Sequence, residues 1–227
     1  MLNDPNLGLV EHVAQQLGDL REDLVLVGGC AVGLLITDRA RPTIRQTIDV
    51  DLVAEVATLA SYYDVEQSLR DRGFREQGDV ICRWTKDGMI LDVMPPIEIG
   101  HNFMNPWYLA AVQNSMRMQL PSSLEIRMIT APYFLATKLV SFASRGEGNY
   151  GHHDIEDIIN LVDGRVELIE EVENSDAAVR DFIMDEVDRL LSDQDFAEQI
   201  PWHLHPDASN QARAALIISR LRTLAGL

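Results

Sequence analysis

Two aspartates, Asp49 and Asp51, alternate with apolar residues in Ile48-Asp49-Val50-Asp51-Leu52-Val53. At the two-residue period of a strand, Ile48, Val50 and Leu52 face one way, and Asp49, Asp51 and Val53 the other. The two carboxylates then stand ~6.6 Å apart along one face. Anions that close repel, and a divalent cation between them removes the conflict; Mg²⁺ prefers such oxygens. A third acid, Asp92, sits in the otherwise apolar run Ile90-Leu91-Asp92-Val93-Met94 and needs a partner there. If the two strands are neighbours, three carboxylates converge. Such a set can hold two divalent ions for in-line phosphoryl or nucleotidyl transfer. Read alone, Asp49 and Asp51 equally suit the solvent face of an edge strand, and Asp92 a turn cap or the partner of an arginine.

A second group surrounds a glycine turn. Gly28-Gly29 follows the apolar run Leu24 to Val27 and opens the apolar stretch Cys30 to Ile36. Glycines there let backbone N–H groups approach an anion at a helix N-terminus, though a strand-to-helix turn also uses glycine for geometry alone. No Lys-Ser/Thr follows, so this is not a P-loop, and G-x-G-x-x-G is absent. A third group is cationic. The chain has two lysines, Lys86 and Lys138. Lys138 lies between Phe134 and Phe142, with Arg145 two turns on. A lysine so placed either snorkels to solvent or meets an anionic partner. Asp154 and Asp157 share one helix face, as a solvated acidic face or as partners of Arg145. His153 and Asp157 have a spacing that a transition metal could use. His203 and His205 also have metal-like spacing, but no third ligand accompanies them, and they read as packing or surface residues.

The elements that position these residues follow from pattern and punctuation. The spacing predicts a helix from Leu9 to Leu20, a strand over Leu24 to Val27 and a helix over Cys30 to Ile36. A loop over Asp38 to Thr47 leads to a strand over Ile48 to Val53, and a helix over Tyr63 to Arg72 ends at Gly73. Strands over Val80 to Thr85 and Met89 to Met94 are joined at Lys86-Asp87-Gly88, a hairpin signal. Residues 97–123 carry no clear pattern, and Leu124 to Ile129 reads as a strand. Thr130 and Pro132 open a helix to about Arg145. Helices follow over Asp154 to Val162, 166–173, 176–191 and 207–224. The fold class is therefore α/β (α+β): residues 1–128 form a mixed α/β domain and residues 129–227 a C-terminal helical domain.

Composition sets the limits. The chain has 227 residues, 46% of them hydrophobic, enough for a sizeable core. Its 19 Lys+Arg against 36 Asp+Glu leave a net charge of −17. Residues 146–227 carry 18 acids and 6 bases, against 18 and 13 in residues 1–145. A basic nucleic-acid binder of the usual kind is disfavoured, and DNA is not an expected partner. Cys30 and Cys82 sit in apolar runs and read as buried hydrophobes. The N-terminus has no basic segment followed by a long apolar one, and no apolar run approaches 18 residues. A cytoplasmic protein without membrane contact is expected.

Arg45-Gln46-Thr47-Ile48-Asp49-Val50-Asp51 joins these groups into one pattern. With Gly28-Gly29 before it and Asp92 on a later strand, the sequence resembles the nucleotidyltransferase superfamily of the DNA polymerase β type. The long spacing from Gly29 to Asp49 and the R-x-T-x-D-x-D motif look most like the AbiEii branch, toxin components of bacterial toxin–antitoxin and phage-abortive systems. That branch's second signature, K-L-x-x-h-x-x-R and then D-x-x-D on a helix, is matched by Lys138 to Arg145 and by Asp154 to Asp157. His153 stands where a basic residue usually precedes the first aspartate. The resemblance covers about residues 24–165.

The resemblance implies the fold, a polymerase β-like mixed sheet flanked by helices, and the activity, Mg²⁺-dependent (or Mn²⁺-dependent) transfer of an NMP from an NTP, with release of pyrophosphate. It implies that Asp49 and Asp51 bind both ions. Asp92 would bind the catalytic ion and help deprotonate the acceptor. The amides of Gly28 and Gly29 would hold the β- and γ-phosphates, Arg45 and Lys138 would offset triphosphate charge, and Thr47 would orient its loop. Asp154 could meet the base, the acceptor or Lys138. The implied acceptor is RNA, such as a tRNA 3′ end, or a protein hydroxyl, and an antitoxin protein is an implied partner. Arg39, Arg41, Arg117 and Arg127 would have to form any RNA groove. A small cationic acceptor of the antibiotic kind suits the acidity better. A non-catalytic interaction module and a metal-dependent hydrolase or nuclease are the rival readings.

Overall fold

A computed structural model describes residues 4–38, 44–78, 82–96 and 105–227. Val80 and Ile81 of the expected strand, and Arg39 and Arg41 of the expected groove, lie outside the described residues. The chain forms two compact units, and the division is not a single cut: Met1–Leu34 joins Ile44–Thr130, and Leu35–Thr43 joins Ala131–Leu227.

The first unit is built on a seven-stranded mixed sheet of order β3-β4-β5-β2-β1-β7-β6. Its strands are β1 (Leu24–Leu26), β2 (Asp49–Ala54), β3 (Arg75–Glu76), β4 (Arg83–Lys86), β5 (Met89–Met94), β6 (Met116–Gln119) and β7 (Glu125–Met128). β2 runs antiparallel to β1 and parallel to β5. Helix α1 (Leu7–Leu17) lays Val13 and Leu17 in a shared cavity lining with Leu26, Val50 and Leu52. One face of β2 is thus sealed by aliphatic burial, at about 25 cal/mol per Å² of apolar area removed from water. The alternation of β2 then leaves Asp49 and Asp51 on the other, half-buried face. Ile48, expected to share a face with Val50 and Leu52 at the start of the strand, precedes β2 and is 75% exposed; period-two patterning cannot say where the ladder begins.

The hairpin is the most local feature of the sheet. Lys86 pairs with Met89 across Asp87 and Gly88, both at positive φ (49° and 82°), the backbone of a two-residue type I′ turn. Helix α2 (Gly28–Leu35) follows β1 directly. Helix α3 (Leu59–Asp71) starts earlier than periodicity predicts, because Thr58 and Ser61 form a capping box. Among the described residues of the unpatterned segment lie α4 (Tyr108–Gln113) and β6.

The second unit is helical, with α5 (Ala131–Arg145), α6 (His153–Gly164), α7 (Leu168–Glu173), α8 (Ala177–Leu191), α9 (Gln194–Gln199), α10 (Ala208–Gln211) and α11 (Arg213–Leu224). The single helix expected over 207–224 is α10 and α11, and α9 was not anticipated. The C-terminal end of α6 is held by arginines. Arg220 donates to the carbonyls of Val162 and Asp163, and Arg213 to the Asp163 carboxylate and to Asp38. Cations there also complement the helix dipole. Among the described residues, no helix is long and apolar enough to cross a membrane.

Candidate functional site

Register brings the three strand acids together. In the parallel β2–β5 pair, Asp51 lies opposite Asp92, and Asp49 is two residues along the same face. Asp49 and Asp92 keep 28% and 18% of their side chains exposed. The face is open enough for a ligand and enclosed enough to strengthen charge interactions above those in water.

An arginine not singled out in the sequence lies across this face. Arg83 pairs directly with Asp92 in the antiparallel β4–β5 hairpin. Its Nε donates to Asp92 Oδ1 (2.7 Å) and its Nη2 to Asp92 Oδ2 (2.6 Å), a two-pronged ion pair. The same Nη2 reaches Asp49 Oδ2 at 3.2 Å. Hydrogen bonding to Asp92 pushes the Arg83 pKa up against the opposing effect of burial. The signal was in the sequence: counting back from a two-residue Asp-Gly turn puts Arg83 opposite Asp92.

The glycine turn closes on the same place. Val27 donates its N–H to the Asp51 carbonyl at 2.9 Å, and Gly28 follows at φ +63°. A Cβ on Gly28 would overlap the Asp51 carboxylate. Glycine is therefore required twice, for its left-handed backbone and for the close approach. From the other side, Thr47 Oγ1 donates to Asp49 Oδ1 at 2.9 Å. Thr47 is itself held by Asn6, a buried residue the sequence reading passed over. Asn6 accepts from the Thr47 N–H (2.9 Å) and donates to the Arg45 carbonyl (3.1 Å). No local pattern signals a partner some forty residues away. Asp49, Asp51, Asp92, Gly28, Thr47 and the backbone of Arg45 thus belong to one unit and one neighbourhood.

Lys138 and Asp154 form a different group, in the helical unit. Lys138 keeps 7% of its side chain exposed, and its Nζ contacts Asp157 Oδ2 at 2.6 Å and Asp154 Oδ1 at 3.1 Å. Phe134 covers the ammonium, with its ring centroid 5.8 Å away. Arg145 takes both Asp154 oxygens, at 2.8 and 2.9 Å. Burial alone would push the Asp154 carboxyl up; Arg145 and Lys138 overcome it and hold it down at about 2. Lys138 therefore neither snorkels nor presents a free charge, and the anions it meets are in-chain aspartates. Asp154 meets Lys138, one of the alternatives left open. Burial lowers the His153 pKa against the pull of Asp154, which favours the neutral ring.

Two groups of side chains bear on metal binding, and they differ in chemistry and in spacing. Asp49, Asp51 and Asp92 offer hard oxygen ligands only, the set that suits Mg²⁺ and Mn²⁺. A guanidinium lying across two of them shows that this face accommodates positive charge. Among the described residues, His152, His153 and Asp154 are the group whose ligand atoms all lie within 4.8 Å of one another; Asp49, Asp51 and Asp92, with Arg83 lying across two of them, are not drawn in that closely. The histidine set is nitrogen-rich, and Arg145 and Lys138 already engage its carboxylate. The His153–Asp157 spacing is not used in this way: His153 lies with His152 and Asp154, and Asp157 meets Lys138. His203 bonds the Tyr150 carbonyl and His205 bonds Asp207. Cys30 is buried, with its Sγ 3.4 Å from the Asp49 carbonyl oxygen.

No family model matches the sequence, and no curated protein does. Solved structures do. A proposed nucleotidyltransferase from H. pylori aligns over 96% of this chain and 92% of its own, with a TM-score of 0.50 and 10% identity. An antigenic nucleotidyltransferase-like protein from Paracoccidioides brasiliensis aligns over 85% of this chain and 90% of its own, with a TM-score of 0.48 and 20% identity. JHP933 from Helicobacter pylori gives a TM-score of 0.47 at 10% identity. The likeness to the first is one of fold. The chain has a nucleotidyltransferase-like fold, as the resemblance of its motifs implied.

Proposed function

We propose that the protein is a Mg²⁺- or Mn²⁺-dependent nucleotidyltransferase, moving an NMP from an NTP to an acceptor hydroxyl. The observation that carries this reading is the convergence of Asp49, Asp51 and Asp92 on one sheet face beside the Gly28 turn. In this account the three aspartates hold the divalent ions. The ions, when bound, supply charge stabilisation for in-line displacement at the α-phosphorus. Asp92 accepts the proton of the attacking hydroxyl. The Gly28 and Gly29 amides, at the positive end of α2, face the β- and γ-phosphates. Thr47 fixes the Asp49 rotamer, and Arg45 offsets triphosphate charge. Lys138 and Asp154 act through their ion-pair network, which shapes the helical unit.

Charge bears on the choice of acceptor. Arg127 is paired with Glu55 and donates to Ser115, and Arg117 is paired with Glu125 and Glu22. Arginines so matched contribute little to a phosphate-binding groove. With a net charge of −17, this favours a small cationic acceptor over an extended RNA backbone, and a tRNA 3′ end or protein hydroxyl over duplex nucleic acid. The R-x-T-x-D-x-D motif supports a toxin role with an antitoxin partner.

The test is incubation with each α-labelled NTP and Mg²⁺ or Mn²⁺, with total tRNA, the protein itself or an aminoglycoside as acceptor. Label should move to one acceptor class and be lost in Asp49→Ala and Asp51→Ala, both still folded. Full transfer by both single variants would remove these residues from the reaction. Cleavage of RNA without added NTP would point to a nuclease instead.

A further inference from the structure

The carboxylate face carries its own cation. Arg83 takes both oxygens of Asp92 and one of Asp49, and keeps 23% of its side chain exposed. The contact is built into the hairpin, because a two-residue turn fixes Arg83 as the cross-strand partner of Asp92. A guanidinium does not lose its proton at any ordinary pH. Deprotonation of Arg83 therefore cannot uncover these oxygens, whereas a competing cation can. The oxygens it covers are also the ones a divalent ion would use, and an ion that did not displace it would meet a like charge within a few ångströms.

We propose that Arg83 is a resident counter-cation of the aspartate set, displaced from Asp92 and Asp49 when a divalent ion binds. Metal entry is then an exchange of charges, and Asp92 changes from partner of an arginine to metal ligand. Arg83 acts as a positioning residue: it keeps the aspartates from repelling one another and sets a threshold for metal occupancy. This rests on the reading of Asp49, Asp51 and Asp92 as a metal-binding set.

Competition and mere organisation make opposite predictions. If Arg83 only orders the aspartates, its loss weakens metal binding; if it competes, its loss tightens binding. The experiment is a Mn²⁺ titration of the chelator-treated full chain, with free Mn²⁺ read by electron paramagnetic resonance. Arg83→Gln should bind Mn²⁺ about threefold to tenfold more tightly than wild type, the range expected from removing one partly exposed ion pair. Arg83→Lys keeps the charge without the fork and should fall between the two. Before Mn²⁺ is added, Arg83→Gln should melt at a lower temperature than wild type, and Mn²⁺ should raise that temperature by more. Unchanged or weaker affinity in a folded Arg83→Gln overturns the proposal. If that variant does not fold, Arg83→Lys decides alone, with affinity equal to or below wild type overturning it. Asp49→Ala/Asp51→Ala should abolish binding in both backgrounds. Binding that survives this change places the metal elsewhere, and the underlying reading then fails together with the proposal.

Discussion

At the scale of single residues, the site is held by contacts that tolerate no extra atoms. Gly28 and Gly18 make a controlled pair: φ is +63° and +56°, but a Cβ on Gly18 meets nothing within 4 Å, whereas one on Gly28 would overlap Asp51. Gly18→Ala should cost about 1–3 kcal/mol, because φ +56° with ψ −133° is a backbone that alanine scarcely adopts, and leave transfer unchanged. Gly28→Ala should lower stability further and depress transfer, as thermal melts and label transfer together would report. Asn6 supports the site at one remove, through Thr47 to Asp49. Asn6→Ala should lower stability by about 1–3 kcal/mol, the cost of leaving buried polar partners unmatched, and should reduce turnover more than it raises KM.

At the scale of elements, α5 and α6 are joined by buried charge. Lys138→Met strands Asp157 without its ammonium and should destabilise the chain by about 3–5 kcal/mol in denaturant melts. Adding Asp157→Leu should recover much of that loss, because a well-packed apolar pair can replace a buried ion pair. Asp154, held at about 2 against an ordinary value of 3.8, has the opposite signature from a group with a raised pKa. Its stabilisation is complete above the unfolded value and disappears as pH falls through the folded one. Asp154→Asn should remove part of the acid-induced loss of stability between about pH 4 and pH 2, measured by circular dichroism. These elements also show what sequence makes legible. The hairpin of β4 and β5, the start of α5 after Thr130 and the strand bearing Asp49 and Asp51 follow from local turn chemistry and periodicity. The first turn of α3 was missed because the capping box at Thr58 precedes the apolar pattern. β6 pairs with β7 across the short turn at Leu120 to Leu124, but its own four residues, Met116–Gln119, are too few to show a strand period. Asp92 was legible as a strand acid in need of a partner, and Arg83 was recoverable from the turn. The anchoring of Thr47 by Asn6 depends on contacts that no local pattern encodes.

At the scale of the whole chain, acidity dominates. Residues 146–227 hold a net −12, from 18 acids and 6 bases. Like charges at that density oppose compaction, and salt screens them, with a Debye length falling from about 30 Å at 0.01 M to about 3 Å at 1 M. The melting temperature should therefore rise with NaCl; a fall would mean that ion pairs outweigh the repulsion. Transfer to a small acceptor should lose little with salt, whereas transfer to RNA should fall steeply.

The central claim is that nucleotide and metal meet at Asp49, Asp51 and Asp92. Anomalous diffraction from crystals grown with Mn²⁺ and a non-hydrolysable NTP tests it most directly. The account predicts Mn²⁺ peaks against these three carboxylates, with the triphosphate at the Gly28 turn. Peaks at His152, His153 and Asp154 alone, or a triphosphate bound away from Gly28, would contradict it.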